Sequence, residues 1–342
     1  MTRRARFSVV ICVFTMRRWD DMLAAIGSVR AQSLPAHELI VVVDHNDELL
    51  SKLTAHLAGD PASALPVTVV ANEQARGLSG GKNTGVRHAT GDIVAFLDDD
   101  AVADSKWLKY LADSFSAPEV TGVGGLTLPN WDTGRPSWFP REFDWVVGCN
   151  YLGMAAPRRP VRNLLGGNAA FRRSIFDRVG GFTVDVGRSD KKLPLGCEET
   201  EFCIKIGQTL PEATLLIDDR AVIWHRVGRD RTTVRYFLTR CYAEGVSKAA
   251  VSRHVGSADG LSAERRQAFA TLPAGFARNL AALARGDLYG PGRAAAIVAG
   301  LFAATGGYAV GLCNSGGTTP RAPRKWLGNS GGTTPRAPRK AA

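Results

Sequence analysis

No CxxC pair occurs among the six cysteines of this 342-residue chain (positions 12, 149, 197, 203, 241 and 313), and none has a zinc-like spacing to the six histidines. A zinc ribbon and a redox dithiol are excluded, and the scatter reads as reduced cytosolic thiols. The N-terminus lacks a small-residue cleavage site. Arg3, Arg4 and Arg6 precede an apolar run, Phe7 to Phe14, which is short for a signal sequence and stops at Thr15 and Arg17. The run is expected to be a first strand, and the protein to stay in the cytosol. Acids are missing from Asn314 onward, where six arginines and lysines supply six of the net +11 charges. The body is therefore only mildly basic. That balance suits anionic substrates or an anionic surface and does not call for nucleic acid. The tail holds "NSGGTTPRAPRK" twice, at 314–325 and 329–340, without core-forming residues, and reads as disordered.

Two nucleotide motifs are incomplete. "ARGLSGGKNTG" has Arg76 where a phosphate loop needs glycine and Asn83 where it needs serine or threonine. "GVGG" at 122–125 lacks the third glycine of a dinucleotide fingerprint, which argues against a nicotinamide enzyme. The first segment is left with two readings: a capped loop, or Arg76 and a helix N-terminus facing a pyrophosphate.

Continuous apolar runs are present instead. "FSVVICVF", "LIVVVD", "PVTVV" and "IVAFLDDD" alternate with helical patterns, one with Met22, Leu23, Ile26 and Val29 on a single face and one over "SGGKNTGVRHA". Ser105 is placed to cap the helix through Trp107, Leu108 and Leu111. Such strands predict an α/β fold with a mostly parallel sheet covered by helices on both faces. Ligands in such sheets sit at the strands' carboxyl ends, where Thr15, Asp44 and Asp98 to Asp100 all fall.

The pattern weakens over 121–160, which reads as a substrate-facing insertion. Helices are expected over "FRRSIFDRV" and "ETEFCIKIGQTL", a strand over "AVIWHRV", and helices over 234–285. Ala294 to Cys313 has no charge and is about the ~20 residues a bilayer span needs, although Gly300, Gly306, Gly307 and Gly311 weaken it. A single span would carry the basic tail across, so the reading leans to an interfacial or re-entrant element.

Three adjacent aspartates repel one another, so a positive partner is expected. Alone, the triplet reads equally as a solvated turn or as ligands for a hard divalent cation. Glu198, Glu199 and Glu201 open a helix; the helix dipole alone favours acids there, and a general base would also suit the position. His225, judged alone, reads as a satisfied core or surface histidine.

Taken together and in order, "VVICVFTMRRWDDMLAAIGSVRAQ", "ELIVVVD", "ARGLSGGKNTGVRHATGDIVAFLDDDA", "GGNAAFRRSIFDRVGGF", "GCEETEFCIKI" and "HRV" resemble the inverting nucleotide-sugar glycosyltransferases of family 2, with a GT-A fold. The resemblance covers about residues 7–230. "EFDWVVGCNYLGM" and "YFLTRCYAEGVSKAA" are similar to an actinobacterial-type branch related to polyprenyl-linked sugar transferases. It implies that Thr15 and Asp44 meet the nucleoside, with Arg76, Asn83, Asp98 and Asp99 beside the nucleotide-sugar. Asp98 and Asp100 would form a DxD pair holding Mg2+ or Mn2+, with His225 reaching the same metal. Glu199 would be the base, and Gly167, Asn168, Glu198, Glu201 and Trp145 would lie on the acceptor side. Arg226 and Arg231 are candidates for steadying the departing diphosphate. No QxxRW motif and no array of spans is present, which argues against a processive polymerase.

The implied organisation is a GT-A domain over 1–232, with its nucleotide half to about 120 and its acceptor half beyond. A helical region follows over 233–290, then a membrane-associated segment over 291–313 and the tail over 314–342. The expected partners are a UDP- or GDP-sugar, a glycan or lipid-linked acceptor and a membrane surface, but no nucleic acid. The expected location is the inner face of the cell membrane, peripheral or anchored. The competing reading is a non-catalytic nucleotide-binding or membrane-tethering protein of the same fold.

Overall fold

The structure, a computed structural model, describes residues 5–58, 65–154, 158–184, 196–256 and 262–313. The duplicated basic tail lies outside them. Strands β1 (Phe7–Val13), β2 (Glu38–Val43), β3 (Val67–Ala71) and β4 (Ile93–Leu97) run parallel in the order β3-β2-β1-β4. Their side chains alternate between two cores. Phe7, Val9, Ile11 and Val13 of β1 face the same core as Met22, Ala25, Ile26 and Val29 of helix α1 (Trp19–Arg30) and Leu49 and Leu53 of α2 (Asp47–Ala58). Val10 faces the other core, with Val86 of α3 (Leu78–His88). Both faces are dry, which is why these strands show no polar alternation. Each fully buried Val, Ile or Phe contributes about 1.5–3 kcal/mol. β3 is the exception: it is the edge strand and is only partly buried.

The other half turns the sheet mixed, in the order β3-β2-β1-β4-β7-β6-β8-β5. It comprises β5 (Ala101–Ala103), β6 (Val120–Trp131), β7 (Asn168–Arg172) and β8 (Thr214–Val227), with helices α4 (Trp107–Ser114), α5 (Ser174–Val179) and α6 (Glu198–Thr209). β7 is antiparallel to β4 with Asn168 opposite Leu97, and β8 is antiparallel to β5 with His225 opposite Ala101. Those two registers bring Gly167 and His225 to the edge where Asp98 to Asp100 emerge.

Three local expectations are corrected. Phe171 and Arg172 belong to β7, so the helix of "FRRSIFDRV" begins only at Ser174. Ser105 does not cap α4; the Asp104 carboxylate accepts from the Lys106 N–H instead. The first part of the supposed insertion is the long strand β6, which carries Gly125 because a Cβ there would stand 2.0 Å from the Ala221 carbonyl oxygen.

A seven-residue 3-10 segment (Arg141–Val147), kinked at Phe143, and the C-terminal helices follow: α7 (Val234–Val255), α8 (Ser262–Arg266), α9 (Leu272–Leu283) and α10 (Gly290–Cys313). A π-helical turn, Gln267–Thr271, joins α8 to α9. α10 lies against α7 so closely that a Cβ on Gly307 would fall 2.0 Å from the Tyr242 carbonyl oxygen. Three of the glycines that weaken α10 as a bilayer span, Gly300, Gly307 and Gly311, are therefore what let it pack; Gly306 faces open space. Its inner side joins Phe139, Phe143 and Phe237 in a third apolar cluster through Ile297.

Candidate active site

A cavity of about 730 Å³ opens where the parallel strands end, within the size usual for small-ligand sites. Asp44, at the end of β2, lines it. Its carboxylate accepts from Asn72 Nδ2 at 2.6 Å and from the Gly77 N–H at 3.0 Å. Gly77 has φ +126°, which a residue with a side chain rarely adopts. Arg76 lines the cavity beside it.

The aspartate triplet finds its positive partners within the protein. Arg18 Nη1 donates to Asp99 Oδ1 at 2.7 Å and lies 3.1 Å from Asp100 Oδ2. Arg231 Nη2 donates to Asp100 Oδ2 at 3.1 Å, and His225 Nε2 stands 3.1 Å from Asp100 Oδ1. Burial works against ionisation of Asp100, yet His225, Arg18 and Arg231 hold its carboxyl well below the usual range. Asp99 has fewer cations; burial pushes it up to about 7, against the opposing pull of Arg18.

Asp98, Asp100 and His225 each offer a ligand atom within 4.8 Å of the others. The buried His225 Nδ1 has no hydrogen-bond partner among the described residues. Two carboxylates and one imidazole fit Mn2+ or Mg2+ in donor type.

Glu199 stands across the cavity at the start of α6, partly open to it. Enclosure by protein, with the Glu198 charge beside it, pushes its carboxyl up to about 8 despite the pull of Lys82. Glu198 is buried and pairs with buried Lys82, Nζ to Oε1 3.0 Å. Burial would lower the Lys82 pKa, but the charges of Glu198, Glu199 and Asp98 raise it. Between the triplet and Glu199 run Gly166 and Gly167. A Cβ on Gly167 would meet Asp98 Oδ2 at 2.1 Å, and one on Gly166 would meet Lys82 Nζ at 2.7 Å and Glu199 Cβ at 3.3 Å.

Not every residue carried by the motifs reaches this cavity. Asp44, Arg76, Asp98, Asp99, Asp100, Trp145, Gly167, Glu198 and Glu199 line it. Thr15 accepts from the Arg17 N–H at the turn after β1. Asn83 is spent on Phe182, bonding both its N–H and its carbonyl. Asn168 accepts from Trp107 Nε1, and Glu201 accepts from Thr183 Oγ1. The Arg226 side chain pairs with Asp21 and Asp132 on the exposed side, while its backbone N–H donates to the Asp100 carbonyl at 2.8 Å.

The motif reading passed over four groups. Lys82 stood in plain view in "GGKN", but once the phosphate loop was rejected nothing indicated its partner. Arg18 sits in the first strand–helix turn. The other two, on α7, are buried Arg240 and Lys248, which line the far end of the cavity with Glu244 and Glu264.

The model of glycosyl transferase family 2 matches residues 8–180, and the chain belongs to that family. It is 33% identical over 244 residues to a glucosyl-dolichyl phosphate glucuronosyltransferase of Haloferax volcanii, covering 71% of this chain and 76% of that one. In fold it is similar to a mannosyltransferase from Pyrobaculum calidifontis solved with GDP-Man and Mn2+. The TM-score is 0.58 at 20% identity, over 88% of this chain and 87% of the other. GalNAc-T7, solved with UDP, GalNAc and Mn2+, aligns with a TM-score of 0.50 at 17% identity, over 78% and 54%. The fold is GT-A, and the protein is a family 2 glycosyltransferase.

Proposed function

We propose that the protein transfers a sugar, with inversion, from a nucleoside diphosphate sugar to a hydroxyl of a lipid-linked glycan. The observation that carries this reading is the placement of Asp98 and Asp100, backed by buried His225, in one cavity with Glu199, with Gly166 and Gly167 between them. Asp98, Asp100 and His225 would hold Mn2+ or Mg2+, which neutralises charge on the departing diphosphate.

The chain's own residues do the rest. Asp44 and the Gly77 turn, which line the cavity with Arg76, would take the nucleoside end, and Arg76 the phosphates. Arg231 and Arg18 fix Asp100 in place. The Glu199 carboxylate takes the proton from the acceptor hydroxyl, which attacks the anomeric carbon on the face opposite the leaving group. A carboxyl raised toward neutrality is a stronger base than an ordinary glutamate. Lys82 neutralises Glu198, so that Glu199 can still ionise.

The acceptor class is supported by the Haloferax relative, whose name gives a dolichyl phosphate substrate. It is also supported by the outer side of the C-terminal helices, where Phe269, Leu283, Phe302, Val310 and Leu312 are exposed. α10 is long and apolar enough to cross a membrane, with mean hydropathy 1.7. Packed along α7, which carries charges on the site side, it suits a membrane surface better than a span. The cytoplasmic face, where nucleotide sugars are made, is the side we assign. Metal-dependent hydrolysis across a panel of UDP- and GDP-sugars, followed by NMR of the transfer product, tests the reading. No hydrolysis with any donor, or a product of retained configuration, overturns it.

A further inference from the structure

The end of the cavity away from Asp44 has a character the transfer chemistry does not use. On α7, Arg240 and Lys248 flank Glu244, with ion-pair distances to it of 3.8 and 3.5 Å. Lys248 Nζ also lies 2.8 Å from Glu264 on α8. That same carboxylate accepts both guanidinium N–H groups of Arg162, at 2.8 and 2.9 Å. Arg265 lines the mouth. Three lining cations, Arg240, Lys248 and Arg265, stand against two lining carboxylates, Glu244 and Glu264, and Arg162 adds a fourth positive charge on Glu264, so the excess is positive.

Immediately beyond, the lining turns apolar through Phe269, Leu272, Leu301, Ala304 and Tyr308, and Phe269 is 82% exposed at the rim. On its other side the cluster touches the base segment: Cys197 Sγ donates to Glu244 Oε1 at 3.1 Å, and the Gly196 N–H donates to Ser247 Oγ at 3.1 Å. Chemistry therefore runs in order along this wall, from carboxylate base through cationic patch to apolar exit.

We propose that Arg240 and Lys248 bind the phosphate of a glycosyl polyprenyl phosphate acceptor, with the prenyl chain leaving between the Gln267–Thr271 turn and α10. The proposal rests on the lipid-linked reading above and makes it specific. A neutral glycolipid would bring no charge to balance the positive excess of the patch, and a soluble sugar phosphate would leave the apolar exit in water. Only an acceptor with sugar, anion and apolar chain in that order matches all three. Phosphate displaces Glu244 and Glu264 from Lys248 in part, and Arg162 retains Glu264 when it does.

The test uses the full chain with its donor and Mn2+ and two acceptors carrying the same sugar: a farnesyl phosphate glycoside and a neutral octyl glycoside. The quantity read is the ratio of their kcat/KM values. In Lys248→Gln and Arg240→Gln the ratio should fall roughly 10–100-fold, the worth of a charged hydrogen bond, and Lys248→Arg should restore much of it. Arg265→Gln, at the exposed mouth where folding is not at risk, should lower it less. A ratio unchanged in all these variants overturns the phosphate site while leaving the lipid-acceptor reading intact. Wild-type enzyme that hydrolyses its donor but glycosylates neither acceptor overturns the lipid-acceptor reading itself. Free farnesyl phosphate should compete with the acceptor and inorganic phosphate far less; equal competition would remove the apolar exit from the proposal.

Discussion

Lys82 Nζ and Glu198 Oε1 lie 3.0 Å apart, each almost wholly buried, in the wall beside the base. Removing one partner leaves the other's charge uncompensated. Lys82→Met should cost about 3–5 kcal/mol of stability, measured by urea denaturation. The double variant with Glu198→Gln should recover much of that loss. If the single variant is as stable as wild type, the pair is not what holds α3 to α6.

Glu199→Gln should lower kcat by roughly 10²–10⁴-fold with donor affinity nearly intact. The base must be ionised to act, and its carboxyl lies at about 8, raised by burial and by Glu198. The kcat profile should therefore climb with pH up to about 8. A flat profile from pH 6 to 9, or a Glu198→Gln or Glu201→Gln variant that is dead while Glu199→Gln is active, would reassign the base.

The same group affects stability. Its ordinary pKa is 4.5, so between that value and about 8 the folded chain keeps a proton that the unfolded chain has released. Stability attributable to Glu199 must then fall as pH rises through that window. Replacing it with glutamine should flatten the pH dependence of Tm there. An unchanged slope would show that the proton resides elsewhere.

Asp100→Asn should abolish Mn2+-dependent transfer and weaken Mn2+ binding, read directly by titration with the spin signal of the free ion. Arg18 keeps Asp99 as a partner, so the fold should survive. Undiminished wild-type activity in EDTA would count against the cluster of Asp98, Asp100 and His225 as a metal site.

Phe302 is 73% exposed on the outer side of α10. Phe302→Ser should reduce binding to anionic lipid vesicles roughly 10-fold or more, from about 1.5–3 kcal/mol of lost apolar burial, with Tm unchanged. Gly307→Leu should do the opposite, lowering Tm by forcing α10 off the Tyr242 backbone. Equal vesicle binding by Phe302→Ser and wild type would place the membrane-facing side elsewhere.

The sheet was legible because buried parallel strands are written as unbroken Val and Ile runs, and three adjacent aspartates at a strand end called for a positive partner. What the sequence concealed was direction and partnership. Asn83, Asn168 and Glu201 occupy motif positions, yet their side chains turn to Phe182, Trp107 and Thr183. β7 was hidden because "NAAFR" is short and has two alanines in five residues, and β6 because its glycines, required by close neighbours, erase the apolar pattern. Arg240 and Lys248 looked like an ordinary polar helix face. Only the packing of α10 behind them and α8 across them turns that face inward.

Two hydrogen atoms, where side chains would stand on Gly166 and Gly167, set the thickness of the partition between Asp98 and Glu199. Any larger residue would have to displace the Asp98 carboxylate or Lys82, so this stretch favours glycine. Trp145, Tyr151, Phe269 and Leu301 border the same cavity through side chains and are not held to glycine in this way. Specificity can therefore be rewritten by changing the rim while the reacting distance stays locked in the main chain, which makes the scaffold a natural starting point for engineering new donor and acceptor pairs.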